Sequence, residues 1–370
     1  MRVRGALPHT PISKNKFLEM PFRKCRINEK ILRHCVPQND ISKKYAADYK
    51  IITGRGLISF YKRLRLLIFT NYNNIGGKIM RNVKVGAVQM SMTDNVKENI
   101  EKADMLVRKA AGDGCNIILL PELFENLYFC QERNYDYYKL AKETEDNDAV
   151  KHFKQLAKEL NVVLPISFYE KHINSIYNSV AVINADGEIL GVYRKSHIPD
   201  DHFYQEKFYF TPGNTGFKVW DTKFGRIGVG ICWDQWFPET ARCMALMGAE
   251  LLFYPTAIGS EPILEVDSMP HWRRCMQGHA AANIVPVIAA NRAGTEKIIP
   301  NEENNFQSSS LTFYGSSFIT DETGEIKESA GRDEECIITS EFDLDAAHEM
   351  RFSWGIFRDR RPELYTPITD

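Results

Sequence analysis

No CxxC pair occurs in the 370-residue chain, and its eight cysteines (25, 35, 115, 130, 232, 243, 275 and 336) keep no regular spacing. That pattern excludes the usual zinc-ligand sets and gives no sign of a disulfide framework. Thiols scattered through apolar and helical surroundings read as reduced, as in a cytoplasmic protein. No apolar run approaches the roughly 20 residues of a membrane-spanning helix, so stable membrane association is not expected. Acidic residues are nearly missing from the first 79 positions, which hold 17 Lys+Arg and 4 Asp+Glu, a charge of +13. The remainder, with 30 basic and 44 acidic residues, carries −14, so the net charge of −1 hides two different kinds of polypeptide.

Residues 1–79 also lack a sustained helical or strand period. Their most apolar piece, 57–69, has the pattern of a basic amphipathic helix. It comes late and has no small-residue cleavage site, so a secretory signal is not expected. A targeting arm remains open; nucleic-acid binding through the basic charge has no motif behind it, and no nucleic-acid partner is expected. We read 1–79 as a poorly ordered basic extension. No linker interrupts the rest of the chain, and the 44% apolar share is ample for a core, so 80–370 reads as one domain.

That domain opens with a β-branched strand, Val83–Met90. Asp94 is placed to cap a helix over 96–111, whose apolar positions recur at helical spacing. A strand over 116–120 comes next, then a helix over 149–160 and a strand over 162–168. Two strands, 179–184 and 189–193, flank an Asp-Gly turn and predict a hairpin. A strand at 227–231 delivers Cys232, and Pro238 opens a helix reaching Met247. Strand 251–255, helix 269–283, strand 285–290, a hairpin turning at 322–324 and strand 336–342 complete the pattern. The tail to Tyr365 is rich in arginine and aromatics. Strands alternating with helices predict α/β layering.

Glu122, Lys195 and Cys232 each end a strand, and ligands of layered α/β folds bind where strand ends meet. Each has an ordinary reading alone: a helix-start glutamate, a solvated lysine, a buried structural cysteine. Together they form a working set. The tight turn presents an exposed thiol at the foot of a helix, whose amides favour the thiolate. A carboxylate can take its proton, and an ammonium can hold the oxyanion formed when a carbonyl is attacked. A Cys–His pair with His197 is the competing arrangement.

Pro-Glu-Leu-Phe at 121–124, Tyr-Arg-Lys-Ser-His-Ile-Pro at 193–199 and Gly-Ile-Cys-Trp-Asp at 230–234 resemble the three signature regions of the nitrilase superfamily of carbon–nitrogen hydrolases. The resemblance runs over 82–365. It implies a four-layer α-β-β-α sandwich, no cofactor and no metal, with Glu122 as general base, Lys195 as oxyanion-stabilising cation and Cys232 as nucleophile. Glu206 resembles the additional active-site acid. Homo-oligomerisation is expected from the family, and the Arg- and aromatic-rich tail suits a subunit contact.

Within the superfamily, Cys232–Glu239, Tyr204–Phe210 and the 123–131 region look like the branch that hydrolyses N-carbamoylputrescine, which implies a small carbamoyl amine as substrate. Asp200-Asp-His-Phe203 departs from the Gly-Pro-Gly found there in many relatives. A ureido head with an ammonium tail needs aromatic walls and distant acids. Tyr128, Trp233 and Trp236 are the candidate walls, and Glu125, Asp201 and Asp234 the candidate acids. A β-ureidopropionase or an ω-amidase, whose substrates carry a carboxylate, would need a pocket arginine; Arg273, Arg274 and Arg292 are available. A non-catalytic binding scaffold is the reading from a different class, and thiol labelling of Cys232 separates it from an enzyme.

Overall fold

A computed structural model describes residues 81–260 and 265–369. The extension read into 1–79 lies outside the described residues. Two sheets carry the architecture. In the first, β1 (Asn82–Gln89) pairs antiparallel with β14 (Cys336–Asp343) and parallel with β2 (Ile117–Leu119). The bridge Ile117–Val163 continues that layer to β3 (Leu164–His172), β4 (Ser175–Ile183) and β5 (Ile189–Arg194). The second sheet runs β13 (Ile326–Ser329), β12 (Phe318–Thr320), β9 (Val287–Ala290), β8 (Leu251–Pro255), β7 (Gly225–Val229), β6 (Val219–Thr222).

Strand alternation turns these sheets into layers, because successive side chains face opposite ways. Val83, Val85 and Ala87 of β1 meet Leu251 and Phe253 of β8 in one core between the sheets. Val88, Ile118 and Leu120 instead face α1 (Val96–Gly112) and α2 (Asp148–Leu160). Leu252 and Tyr254 of β8 likewise face α3 (Pro238–Leu246) and α4 (Met269–Asn283). The order is α-β-β-α, the four-layer sandwich that the signature regions imply.

Helix ends follow local chemistry, with one difference from the sequence reading. Asn95, not Asp94, caps α1, its side chain accepting from the amides of Lys97 and Glu98. Asn147 caps α2 through the amide of Val150. Several elements were not expected, β6 among them. The hairpin β10 (Thr295–Ile298) with β11 (Ser309–Thr312) is short and polar, and part of the presumed tail forms α5 (Leu344–Trp354), capped by Asp343. Among the described residues no helix is long and apolar enough to cross a membrane.

Gly213 sets how closely the chain packs beside β5. Its amide donates to the Lys195 carbonyl at 2.8 Å, and a Cβ there would lie 2.1 Å from the Arg194 carbonyl oxygen. Backbone cannot give way cheaply, so Gly213→Ala is expected to cost about 1–3 kcal/mol and to lower the melting temperature. Gly278→Ala on α4, where an added Cβ meets nothing within 4 Å, should instead stabilise slightly. Thermal unfolding of the two variants side by side checks both signs; an unchanged melting temperature for Gly213→Ala contradicts the packing argument.

Candidate active site

Three of the four groups at the site stand just past a strand. Glu122 follows β2, Lys195 is the first residue beyond β5, and Cys232 follows β7 across Gly230 and Ile231. Glu206 opens a short 3₁₀ turn, Glu206–Phe208. Lys195 is fully buried and donates to Glu122 Oε1 at 2.8 Å and to Glu206 Oε2 at 2.6 Å. Asn178 Nδ2 adds a bond of 2.6 Å to the same Glu122 oxygen. Strand register explains that contact: Ser179 pairs with Arg194, and the Lys195 amide donates to the Asn178 carbonyl. Tyr128 donates its hydroxyl to Glu206 Oε1 at 2.7 Å.

Burial works against the charge of Lys195, but Glu122 and Glu206 outweigh it and hold the ammonium well above the usual lysine range. Burial pushes the Glu206 carboxyl up to about 7, against the opposing pull of Lys195. The Cys232 thiol is 6% exposed, and burial, reinforced by Glu122, raises it well above an ordinary cysteine although Lys195 pulls the other way. The expected exposed thiol, made acidic by a helix, is therefore corrected. Cys232 opens a 3₁₀ turn, Cys232–Trp236, and α3 starts only at Pro238. Both burial and Glu122 favour the protonated thiol. Beside it, Glu122 Oε2 is buried with no hydrogen-bond partner, leaving an acceptor for one proton.

Both turns that carry these residues are strained. Leu123 has φ 50° and Cys232 has φ 41°, left-handed values that side-chain-bearing residues hold only when their surroundings enforce them. Arg292, fully buried, enforces the first: its guanidinium donates to the carbonyls of Glu122, Leu123 and Asn126 and to Glu296 Oε1. Glu296 in turn accepts from the Tyr128 amide at 2.6 Å.

A pocket of about 410 Å³ opens over Cys232 and Glu206. Trp233 and Trp236 line its sides, and the exposed Asp200 and Asp201 line its outer part. Among the described residues, no arginine or lysine lines it. Arg292 is committed to backbone carbonyls, Arg273 donates to the Ser316 carbonyl and Ser329 hydroxyl, and Arg274 is exposed on α4 away from the lining.

Three expected pocket residues stand outside it. Glu125 is buried behind the wall, accepting from Asn147 Nδ2 at 3.0 Å, and burial raises its carboxyl to about 7. Tyr128 touches Glu206 rather than open space. Asp234 is fully buried and binds Tyr193, His197 and the Ile231 amide. In each case nearness in sequence to a reactive residue does not say which side of the wall the chain turns to. His197, the alternative base, has Nδ1 2.7 Å from Asp234 and stacks on Phe237 at 3.6 Å. The residues not anticipated are Asn178, one position before the expected start of β4, and His271, which lines the pocket from α4. Hairpin register counted back from the Asp-Gly turn is the signal that reaches Asn178. Among the described residues no group of three or more acids, histidines or cysteines is arranged to hold a metal.

Comparison with known proteins shows the family and the fold. A family model for carbon–nitrogen hydrolases fits residues 84–352. The chain is 55% identical over 291 residues to an N-carbamoylputrescine amidase of Oryza sativa subsp. japonica, covering 78% of this chain and 95% of that one. It is also 55% identical over 290 residues to a citrullinase of Francisella tularensis, covering 78% and 99%. A crystal structure of a carbon–nitrogen hydrolase from Helicobacter pylori G27 superposes with a TM-score of 0.72 at 38% identity, over 78% of this chain and 99% of that one. With its sandwich, its three signature regions and a family match across nearly all of the described residues, the chain belongs to the carbon–nitrogen hydrolases, the nitrilase superfamily of enzymes.

Proposed function

We propose that the enzyme hydrolyses N-carbamoylputrescine to putrescine, carbon dioxide and ammonia through a thiocarbamoyl intermediate on Cys232. The observation that carries the substrate choice is the charge of the pocket. Asp200 and Asp201 stand at its outer part, and no arginine or lysine among the described residues lines it. An ammonium tail is matched there, while a substrate carboxylate has no cation to meet. Plant relatives at 54–56% identity that carry the N-carbamoylputrescine amidase name support the same substrate. The Francisella citrullinase favours a second reading, citrulline, whose ammonium suits the same aspartates but whose carboxylate does not.

Chemistry follows from the buried cluster. Glu122 Oε2 takes the thiol proton as Cys232 sulfur attacks the ureido carbon. Two of the three Lys195 ammonium protons are held by carboxylates, and the third, with the Trp233 amide, holds the oxyanion. The carbon–nitrogen bond breaks as Glu122 returns its proton to the leaving amine. Glu122 then takes a proton from the water that attacks the thiocarbamoyl carbon and passes it to the departing sulfur, which restores the thiol and the carboxylate. The carbamate so formed decomposes to carbon dioxide and amine. Glu206 keeps the ammonium in place.

Three outcomes test this reading. Cys232→Ala should abolish turnover with the fold intact, and Glu122→Gln should slow it by about 10²–10⁴-fold; near-wild-type rates in either remove the assigned role. With purified protein, kcat/KM should be highest for N-carbamoylputrescine, measured against L-citrulline and N-carbamoyl-β-alanine by release of ammonia. Preference for citrulline would replace the substrate, and preference for the β-alanine derivative would overturn the charge argument. Glu206 must be ionised to share Lys195, so kcat/KM should rise as pH rises through about 7. Tyr128→Phe removes the hydroxyl that favours the ionised form, so this rise should move to higher pH; a profile that stays in place disconnects Glu206 from the rate.

A further inference from the structure

We propose that Asp234 is a positioning residue that sets the spacing between the nucleophile turn and the lysine loop. The inference rests on Cys232 acting as nucleophile and Lys195 as oxyanion partner. Asp234 is fully buried, and both carboxylate oxygens are occupied on both sides of the site. Oδ2 accepts from the Ile231 amide at 2.9 Å, next to Cys232, and from the Tyr193 hydroxyl at 2.7 Å, two residues before Lys195. Oδ1 lies 3.0 Å from the His197 amide and 2.7 Å from His197 Nδ1, two residues after Lys195. One carboxylate therefore grips the lysine segment before and after the lysine and grips the nucleophile turn at the residue preceding the thiol. These two segments leave different sheets, β5 and β7, and no ladder hydrogen bond joins those strands.

The strain at Cys232 makes this grip consequential. A left-handed residue relaxes toward ordinary φ unless its neighbours are held. The Ile231 amide bond to Asp234, with the Asp234 amide returned to the Ile231 carbonyl at 3.0 Å, closes the turn around the thiol. An asparagine at 234 keeps the volume but turns one acceptor into a donor, facing either the Ile231 amide and Tyr193 hydroxyl or the His197 pair. The aspartate does not itself line the pocket, so substrate binding is not its task.

The test uses the full-length enzyme with Asp234→Asn and Tyr193→Phe. Reactive Cys232 is counted by iodoacetamide labelling and intact mass, with Cys232→Ala as the blank. Then kcat per labelled site and KM are measured on N-carbamoylputrescine. Misplacing the reacting groups by an ångström is expected to reduce kcat per site by about 100-fold in Asp234→Asn. KM should stay within about threefold, the signature of an interaction used in the transition state alone. Tyr193→Phe, which removes one of the grips, should lose several-fold, and it decides the matter if Asp234→Asn does not fold. Wild-type kcat per site in Tyr193→Phe and in folded Asp234→Asn, or a raised KM with kcat intact, overturns the positioning role. A wild-type protein whose Cys232 is neither labelled nor required overturns the nucleophile reading and this inference together.

Discussion

Everything at this site depends on one ammonium buried between two carboxylates. Lys195 has no access to water, and its charge is kept only because Glu122 and Glu206 lie within hydrogen-bond distance. Removing any member of such a buried group strands the others, at a cost of about 3–5 kcal/mol. The cluster is therefore both a structural commitment and a chemical tool. It carries one more negative charge than positive, and burial has already raised Glu206 toward neutrality to accommodate that.

The two sheets divide the work. The first supplies Glu122, Asn178 and Lys195; the second supplies Cys232 and, past β9, the guanidinium of Arg292. Arg292 reaches across the core to the carbonyls around Glu122, so the turn bearing one reactive group is held by the layer bearing the other. The site is complete only when the sheets are packed face to face. Two left-handed residues at the junction mark where the backbone is bent to meet that requirement.

Much of this was legible in the sequence, for identifiable reasons. Strands such as β8, alternating between the inter-sheet core and the helices, announce themselves by a short apolar and aromatic run, and the candidate site residues sit at strand ends within dense local motifs. What stayed hidden depends on direction. Asp234 and Trp233 are neighbours, yet one is sealed inside and the other is 39% exposed, because the 3₁₀ turn rotates them apart. Glu125 and Tyr128 also face inward. Arg292 looked like a substrate cation, and only tertiary packing reveals that its donors go to backbone carbonyls. The helix α5 escaped notice because just two of its residues, Leu344 and Ala347, are buried, too few to mark an apolar stripe.

The protonated state of the resting sulfur has a bearing on durability. Peroxides and adventitious electrophiles react with thiolate, and the rate of damage follows the thiolate fraction and its access to solvent. A buried thiol raised above the ordinary cysteine range presents little thiolate, so it reacts more slowly than an ionised one. Low access and a proton held by burial together lower the vulnerability of Cys232 to oxidants, a protection that a permanently ionised cysteine does not have.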